Sequence, residues 1–146
     1  MKNVVWVTSV ALVLAVSAGC GDSGPEIATV TGHVTLDGNA LPGAQILFVP
    51  DKGRPSVARA DDNGAYELDY VDGLMGAIPG MCRVEITTYT PAGRDEKGEL
   101  TPAVKEMVPA IYNQETTLQF DVKAKTANVA NFDLDSKGKV AAPPTE

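Results

Sequence analysis

Residues that carry covalent or redox chemistry are scarce in this 146-residue chain, which holds two cysteines and one histidine. No Ser-His-Asp set, no glycine-rich phosphate loop and no cysteine–histidine metal spacing occurs in it. Long apolar runs are missing as well. The longest, Val4 to Ala18, has fifteen residues, short of the ~20 needed to cross a bilayer as a helix. Positive charge is in deficit, with a formal net charge of -7, which argues against nucleic acid and anionic lipid surfaces as partners.

What the N-terminus does contain is ordered like an export signal: Lys2, an apolar core broken only by Thr8 and Ser9, then Ser17-Ala18-Gly19 before Cys20. The stretch resembles the lipobox of bacterial lipoproteins, with Ser17 where that family usually has Leu. The resemblance implies that Cys20 receives a diacylglyceryl group, becomes the new N-terminus and carries further acyl chains such as palmitate. Plain secretory cleavage is the alternative. One acyl chain holds a protein only marginally, at about 0.8 kcal/mol per buried methylene, whereas two or three hold it lastingly. Cleavage leaves 127 residues with 11 basic and 19 acidic side chains, since only Lys2 is lost, and a net charge of -8. That is the size of one domain. The boundaries read as signal 1–19, lipidated N-terminus and linker 20–26, domain 27–135 and a loose tail 136–146.

From Ile27 onward the pattern has period two, broken by turn residues at short intervals, which points to an all-β sandwich or barrel. In the first strand Val30, Val34 and Leu36 take one face and Thr29, Thr31, His33 and Thr35 the other, before the turn residues Asp37-Gly38-Asn39. In Ala44 to Pro50, Ile46 and Phe48 oppose Leu47 and Val49, so both faces are expected to be covered, or the outer one to meet a loop or partner. Asp61-Asp62-Asn63-Gly64 is a hairpin signal that predicts pairing of Val57–Ala60 with Tyr66–Tyr70. Met81 to Tyr89 follows, with Cys82, Val84 and Ile86 inward and Cys82 read as a small buried apolar group. If Cys20 is acylated, Cys82 has no disulfide partner and packing alone must hold the fold. Residues 90 to 106 read as one long loop. Val108–Tyr112, Thr117–Val122 and Val129–Leu134 complete seven or eight short strands.

The order of Val30-Thr31-Gly32-His33-Val34, Leu41-Pro42-Gly43-Ala44, Phe48-Val49-Pro50, Asp61-Asp62-Asn63-Gly64-Ala65-Tyr66, Pro79-Gly80, Val108-Pro109-Ala110-Ile111-Tyr112-Asn113 and Asn131-Phe132-Asp133-Leu134 resembles the carboxypeptidase regulatory-like, transthyretin-like domains of small bacterial, planctomycete-type lipoproteins. The resemblance implies a seven-stranded Greek-key β-sandwich of the prealbumin type, and accessory, adhesive or carrier roles in place of an enzymatic one.

Each candidate site has a plain structural counterpart. His33, on the polar face of the first strand, lacks the partners that catalysis or zinc binding needs. Transthyretin-like hydroxyisourate hydrolases rely on more than one histidine, an arginine and a C-terminal Tyr-Arg-Gly-Ser, whereas this chain has one histidine and reads Ala141-Ala142-Pro143-Pro144-Thr145-Glu146 at that place. Asp61, Asp62 and Asn63 could supply oxygen ligands to calcium, or simply close a turn. Arg94, Asp95, Glu96, Lys97 and Glu99 form the candidate contact loop, against a solvated loop of mixed charge. The leading expectation is a non-catalytic envelope lipoprotein without cofactors, attached through Cys20 to a bacterial membrane. Its domain faces the periplasm or the exterior, and its partner is an envelope protein or polysaccharide. The alternatives are a small-ligand carrier or hydrolase-like enzyme of the transthyretin-like fold, and a calcium-dependent adhesion module.

Overall fold

The computed structural model describes residues 24–71, 73–95, 97–140 and 142. Cys20 and the export-signal segment lie outside the described residues, as does Glu96. The described chain is all-β, with short strands and a single 3-10 turn. The strands are β1 Val30–Leu36, β2 Asn39–Ala40, β3 Gln45–Pro50, β4 Ser56–Arg59, β5 Ala65–Glu67, β6 Asp69–Val71, β7 Leu74–Met75, β8 Gly80–Thr87, β9 Gly93–Arg94, β10 Leu100–Thr101, β11 Gln119–Val122, β12 Asn128–Val129 and β13 Phe132–Leu134.

Two sheets form a sandwich. In the smaller one β1 is central: on one side it pairs antiparallel with β5 and then β2, on the other parallel with β12 and β13. The larger sheet runs β11-β8-β3-β4-β6-β7, and its longest register joins β3 to β8, from Gln45 opposite Thr87 to Pro50 opposite Cys82. The alternating apolar positions meet between the sheets. Val30 and Val34 from one layer and Ile46, Phe48, Cys82, Val84 and Ile86 from the other are completely buried in a single core. The Phe48 ring packs against Phe120 and Phe132 at centroid distances of 5.8 and 6.2 Å. Phe132 belongs to the smaller sheet, so this contact ties the layers together, and burying a ring of this size contributes about 1.5–3 kcal/mol. Leu47 and Val49 are half-buried on the outer face.

The turns follow local chemistry. Asp37 and Gly38 both adopt positive φ, 51° and 78°, the geometry that a two-residue hairpin between β1 and β2 requires. The hairpin expected at Asp61–Gly64 is only half realised. The turn forms, yet near it the arms part. β4 stays in the larger sheet while β5 joins β1 in the smaller one, and the arms meet again only where Val57 opposes Asp69. Leu68 sits at the crossing, fully buried, its N–H donating to Val30 and its carbonyl accepting from Gly76. Burial of Leu68 and Tyr66 outweighs continuation of a two-stranded ladder.

Three other expectations are corrected. Residues 90–106 are not an open loop, because β9 and β10 pair antiparallel and Thr90 bridges Val104. Val108–Tyr112 is not a strand: Ala110–Tyr112 forms the 3-10 turn after Pro109. The last strand is split into β12 and β13 because at Asn131 the side-chain oxygen, and not a backbone carbonyl, accepts from the His33 N–H. The described part of the tail is tied down. Ser136 N–H donates to Asp37 at 3.0 Å, Lys139 accepts from Ala110, and Val140 bridges Pro109.

The registers define two ends of the sandwich. β1 and β8 begin, and β3 and β11 finish, at the end where residues 24–28 enter. Segments 50–55, 73–80 and 122–127 surround that entry. The opposite end gathers segments 36–44, 60–64, 88–95, 97–113 and 134–140, among them the β9–β10 ribbon.

Candidate functional site

The candidate contact loop is built on a turn that the chain uses twice. At Asp61-Asp62-Asn63-Gly64, Asp61 Oδ1 accepts from the N–H groups of Asn63 and Ala65 at 2.8 and 2.9 Å, and Gly64 has φ 78°. In the ribbon Asp95 Oδ1 accepts from Lys97 and Glu99 at 2.9 and 2.8 Å, and Gly98 has φ 81°. In both, the fourth residue's N–H returns to the Asp carbonyl and the Asp N–H donates to the fifth residue's carbonyl. An Asp side chain caps the turn and a glycine supplies the left-handed step. Arg94 adds a 2.7 Å hydrogen bond to the Gly98 carbonyl. Of the expected contact residues, Arg94 and Asp95 therefore hold the ribbon's own turn, while the charges of Lys97 and Glu99 are exposed. The pattern Asp-x-x-Gly occurs again at Asp135–Gly138, where no such hairpin forms, so by itself it does not reveal the ribbon.

Glu106 binds the base of the ribbon to the sandwich. Its carboxylate accepts from Thr87 Oγ1, from Thr88 N–H and Oγ1 at 2.9 and 2.7 Å, from the Met107 and Val108 N–H groups at 3.0 Å each, and from Asn113 Nδ2 at 3.4 Å. Partial burial pushes this carboxyl upward, but the hydrogen bonds from Thr87, Thr88 and Val108 outweigh it and hold it below the ordinary glutamate value. Sequence reading placed Glu106 among loop charges, because its partners lie up to 19 residues away.

His33 is exposed on the outer face of the smaller sheet. It lines a shallow groove of about 480 Å³ with Thr31, Arg59, Asp61, Glu67 and Val129. Arg59 and Glu67 escaped notice in the sequence because β4 and β5 belong to different sheets. Arg59 donates to the Gly43 carbonyl at 3.2 Å, and the three ion pairs among the described residues, Arg83–Glu85, Lys123–Asp121 and Lys137–Asp135, all lie elsewhere.

Of the calcium candidates, Asp61 engages one oxygen in its turn and Asp62 and Asn63 stand exposed beside it. No group of three or more His, Cys, Asp or Glu able to hold a metal ion occurs among the described residues. Cys82 is completely buried, its Sγ 3.8 Å from the carbonyls of Ile78 and Gly80. Burial, then the charges of Asp51 and Asp121, push its thiol above the ordinary range, which opposes thiolate reactivity. No helix among the described residues is long and apolar enough to cross a membrane.

No family model matches the chain, and no curated protein does. Among solved structures it is similar to a DUF3823 family protein from Parabacteroides merdae, at 15% identity and a TM-score of 0.41, over 75% of this chain and 46% of that one. The chain thus spans about half the length of that protein.

Proposed function

We propose that this chain is an envelope lipoprotein of the carboxypeptidase regulatory-like, transthyretin-like type, held to a bacterial membrane through acylated Cys20, with a sandwich that binds or braces other envelope components without catalysis. The observation that supports the non-catalytic reading is the engagement or isolation of His33, Cys82 and Tyr66. The His33 ring makes no hydrogen bond among the described residues, the Cys82 thiol is enclosed, and the Tyr66 hydroxyl is committed to the Ala130 carbonyl at 2.6 Å. Neither His33 nor Cys82 thus has the hydrogen-bonded acid or base partner that nucleophilic and acid–base catalysis use, and the hydroxyl–carboxylate contacts of Thr87 and Thr88 with Glu106 close the base of the ribbon. The anchor is supported by Ser17-Ala18-Gly19-Cys20 and the short apolar segment before it. A polysaccharide or an envelope protein is the expected partner.

Intact mass of the membrane-extracted protein tests the anchor: the mature chain should begin at Cys20 with the mass of two or three acyl chains, and Cys20→Ala should lose it. An unmodified soluble product beginning elsewhere overturns the reading. The His33–Arg59–Glu67 groove favours a second reading, a small-ligand carrier. Saturable thermal stabilisation by a metabolite, abolished in Glu67→Ala, would establish it in place of the structural role.

A further inference from the structure

We propose that the end of the sandwich at which residues 24–28 enter is a bilayer-contacting surface, which seats the domain directly on the membrane that carries its anchor. This seating depends on acylation of Cys20. Gly21 to Glu26 reach at most about 20 Å when fully extended. The eight-residue β8 alone is about 26 Å long, so the domain cannot turn over to rest on its far end, whereas the entry end must lie near the lipid.

The point of entry is rigidly placed. Ala28 and Ala77 exchange backbone hydrogen bonds of 2.9 Å, and Gly76 lies so close to Ile27 and the Ala28 carbonyl that any side chain there would collide with them. On either side of this contact apolar side chains face outward. Leu74 and Met75 of β7 are 49% and 38% exposed, and Met81 at the start of β8 is 48% exposed. Met81 lines a hollow of about 340 Å³ with Lys52, Ile78 and Pro79. Next to the entry, the 123–128 turn is closed by Asn128, whose side chain donates to the carbonyls of Thr29, Lys123 and Thr126. The far end also exposes Leu100, Val104, Met107, Ile111 and Val140, so it is the tether beside Leu74, Met75 and Met81, and not apolar exposure alone, that selects the entry end as the one to meet a bilayer.

Charge is distributed to suit. At this end Lys52, Arg54, Lys123 and Lys125 balance Glu26, Asp51, Asp69 opposite Met75, and Asp121, whereas the other described residues include seven basic and eleven acidic side chains. An anionic leaflet repels that acidic remainder over a Debye length of about 8–10 Å, and the electrically neutral end is the one it tolerates. The net charge that argued against an anionic lipid surface for the chain as a whole does not apply to the part that would touch it.

Processing removes Trp6, the sole tryptophan, so single tryptophans report depth without background. Met75→Trp, Met81→Trp and Leu100→Trp would each be made in the full chain. The processed proteins would then be reconstituted into phosphatidylethanolamine–phosphatidylglycerol vesicles with brominated acyl chains. Seating predicts that Met75→Trp and Met81→Trp lose most of their emission to bromine and shift to shorter wavelength, while Leu100→Trp on the ribbon is unaffected. Equal quenching at all three positions, or vesicle-bound protein with none, overturns the seating while leaving the anchor intact. A blue shift without bromine quenching also overturns it, since a protein then covers the surface. Protein that does not float with the vesicles and lacks the acyl mass overturns the anchor, and the seating with it.

Discussion

Gly32 and Tyr66 stand opposite one another in the register of β1 and β5, and the missing side chain of the first lets the second reach across the strand. The Tyr66 hydroxyl donates to the Ala130 carbonyl beyond β1 at 2.6 Å. A Cβ on Gly32 would overlap that carbonyl oxygen and meet the Tyr66 ring at 3.0 Å. An aromatic ring covering a strand glycine is a known sheet-stabilising device. Here it joins segments near residues 32, 66 and 130 in one contact, and burial raises the Tyr66 phenol well above its ordinary pKa.

Gly32→Ala is therefore expected to be among the most damaging single substitutions, at about 3 kcal/mol, because backbone and not a flexible side chain must move. Tyr66→Phe keeps the ring and orphans one carbonyl, at about 1–2 kcal/mol. Urea denaturation of the two variants checks the order. A Tyr66→Phe loss exceeding that of Gly32→Ala would contradict the close-approach explanation.

The twin turns separate local from global stability. Asp61→Ala removes two hydrogen bonds from a turn that connects the two sheets and should lower the stability of the whole domain by about 1–2 kcal/mol. Asp95→Ala makes the same local loss in the ribbon, and should accelerate hydrogen exchange over residues 93–101 while the melting temperature hardly moves. Equal melting shifts for the two variants would refute this division.

Acid should weaken the base of the ribbon. Glu106 has its folded-state pKa below the ordinary 4.5, so its stabilising contribution is complete above that value and is lost as pH falls through the lowered folded pKa. Glu106→Gln should flatten the acid limb of the stability curve and lower the plateau at neutral pH. Glu106→Ala, which orphans the Thr88 and Val108 N–H groups together while Met107 keeps its bond to Thr88 Oγ1, should cost about 3 kcal/mol. Melting curves from pH 2 to pH 7 measure both, and an unchanged acid limb in Glu106→Gln would exclude the proposed role.

Cys82 should react with a maleimide only as fast as the domain opens. Its thiol is fully enclosed between sheets, so modification in native buffer is expected to be slow and to accelerate in urea in step with unfolding. Rapid native labelling would show that the β8 end opens independently of the core.

Much of the strand pattern was legible because burial in a sandwich imposes period two. Val30 and Val34, Ile46 and Phe48, and Cys82, Val84 and Ile86 all lie inward where alternation places them. The ribbon was not legible from its Asp-x-x-Gly, because the same pattern at Asp135–Gly138 closes no hairpin and the charges around the ribbon resemble an open loop. The partner of each arm of the Asp61–Gly64 turn was not legible, since local turn chemistry says that the chain reverses and not which sheet each arm joins. The staple at Glu106 and the groove of His33, Arg59 and Glu67 were equally hidden, being meetings of residues from separate strands.

By itself, then, the sequence determined the alternation that makes an all-β core, the turns at Asp37-Gly38 and Asp61–Gly64, and the scarcity of reactive groups, because each depends on residues adjacent or two apart. The tertiary structure alone decided that Tyr66 crosses Gly32 to reach Ala130, that Glu106 gathers six donors, and that Leu74, Met75 and Met81 lie exposed beside the entry of residues 24–28. Those outcomes depend on which strands become neighbours, a choice set by the total burial of both sheets and not by any local signal.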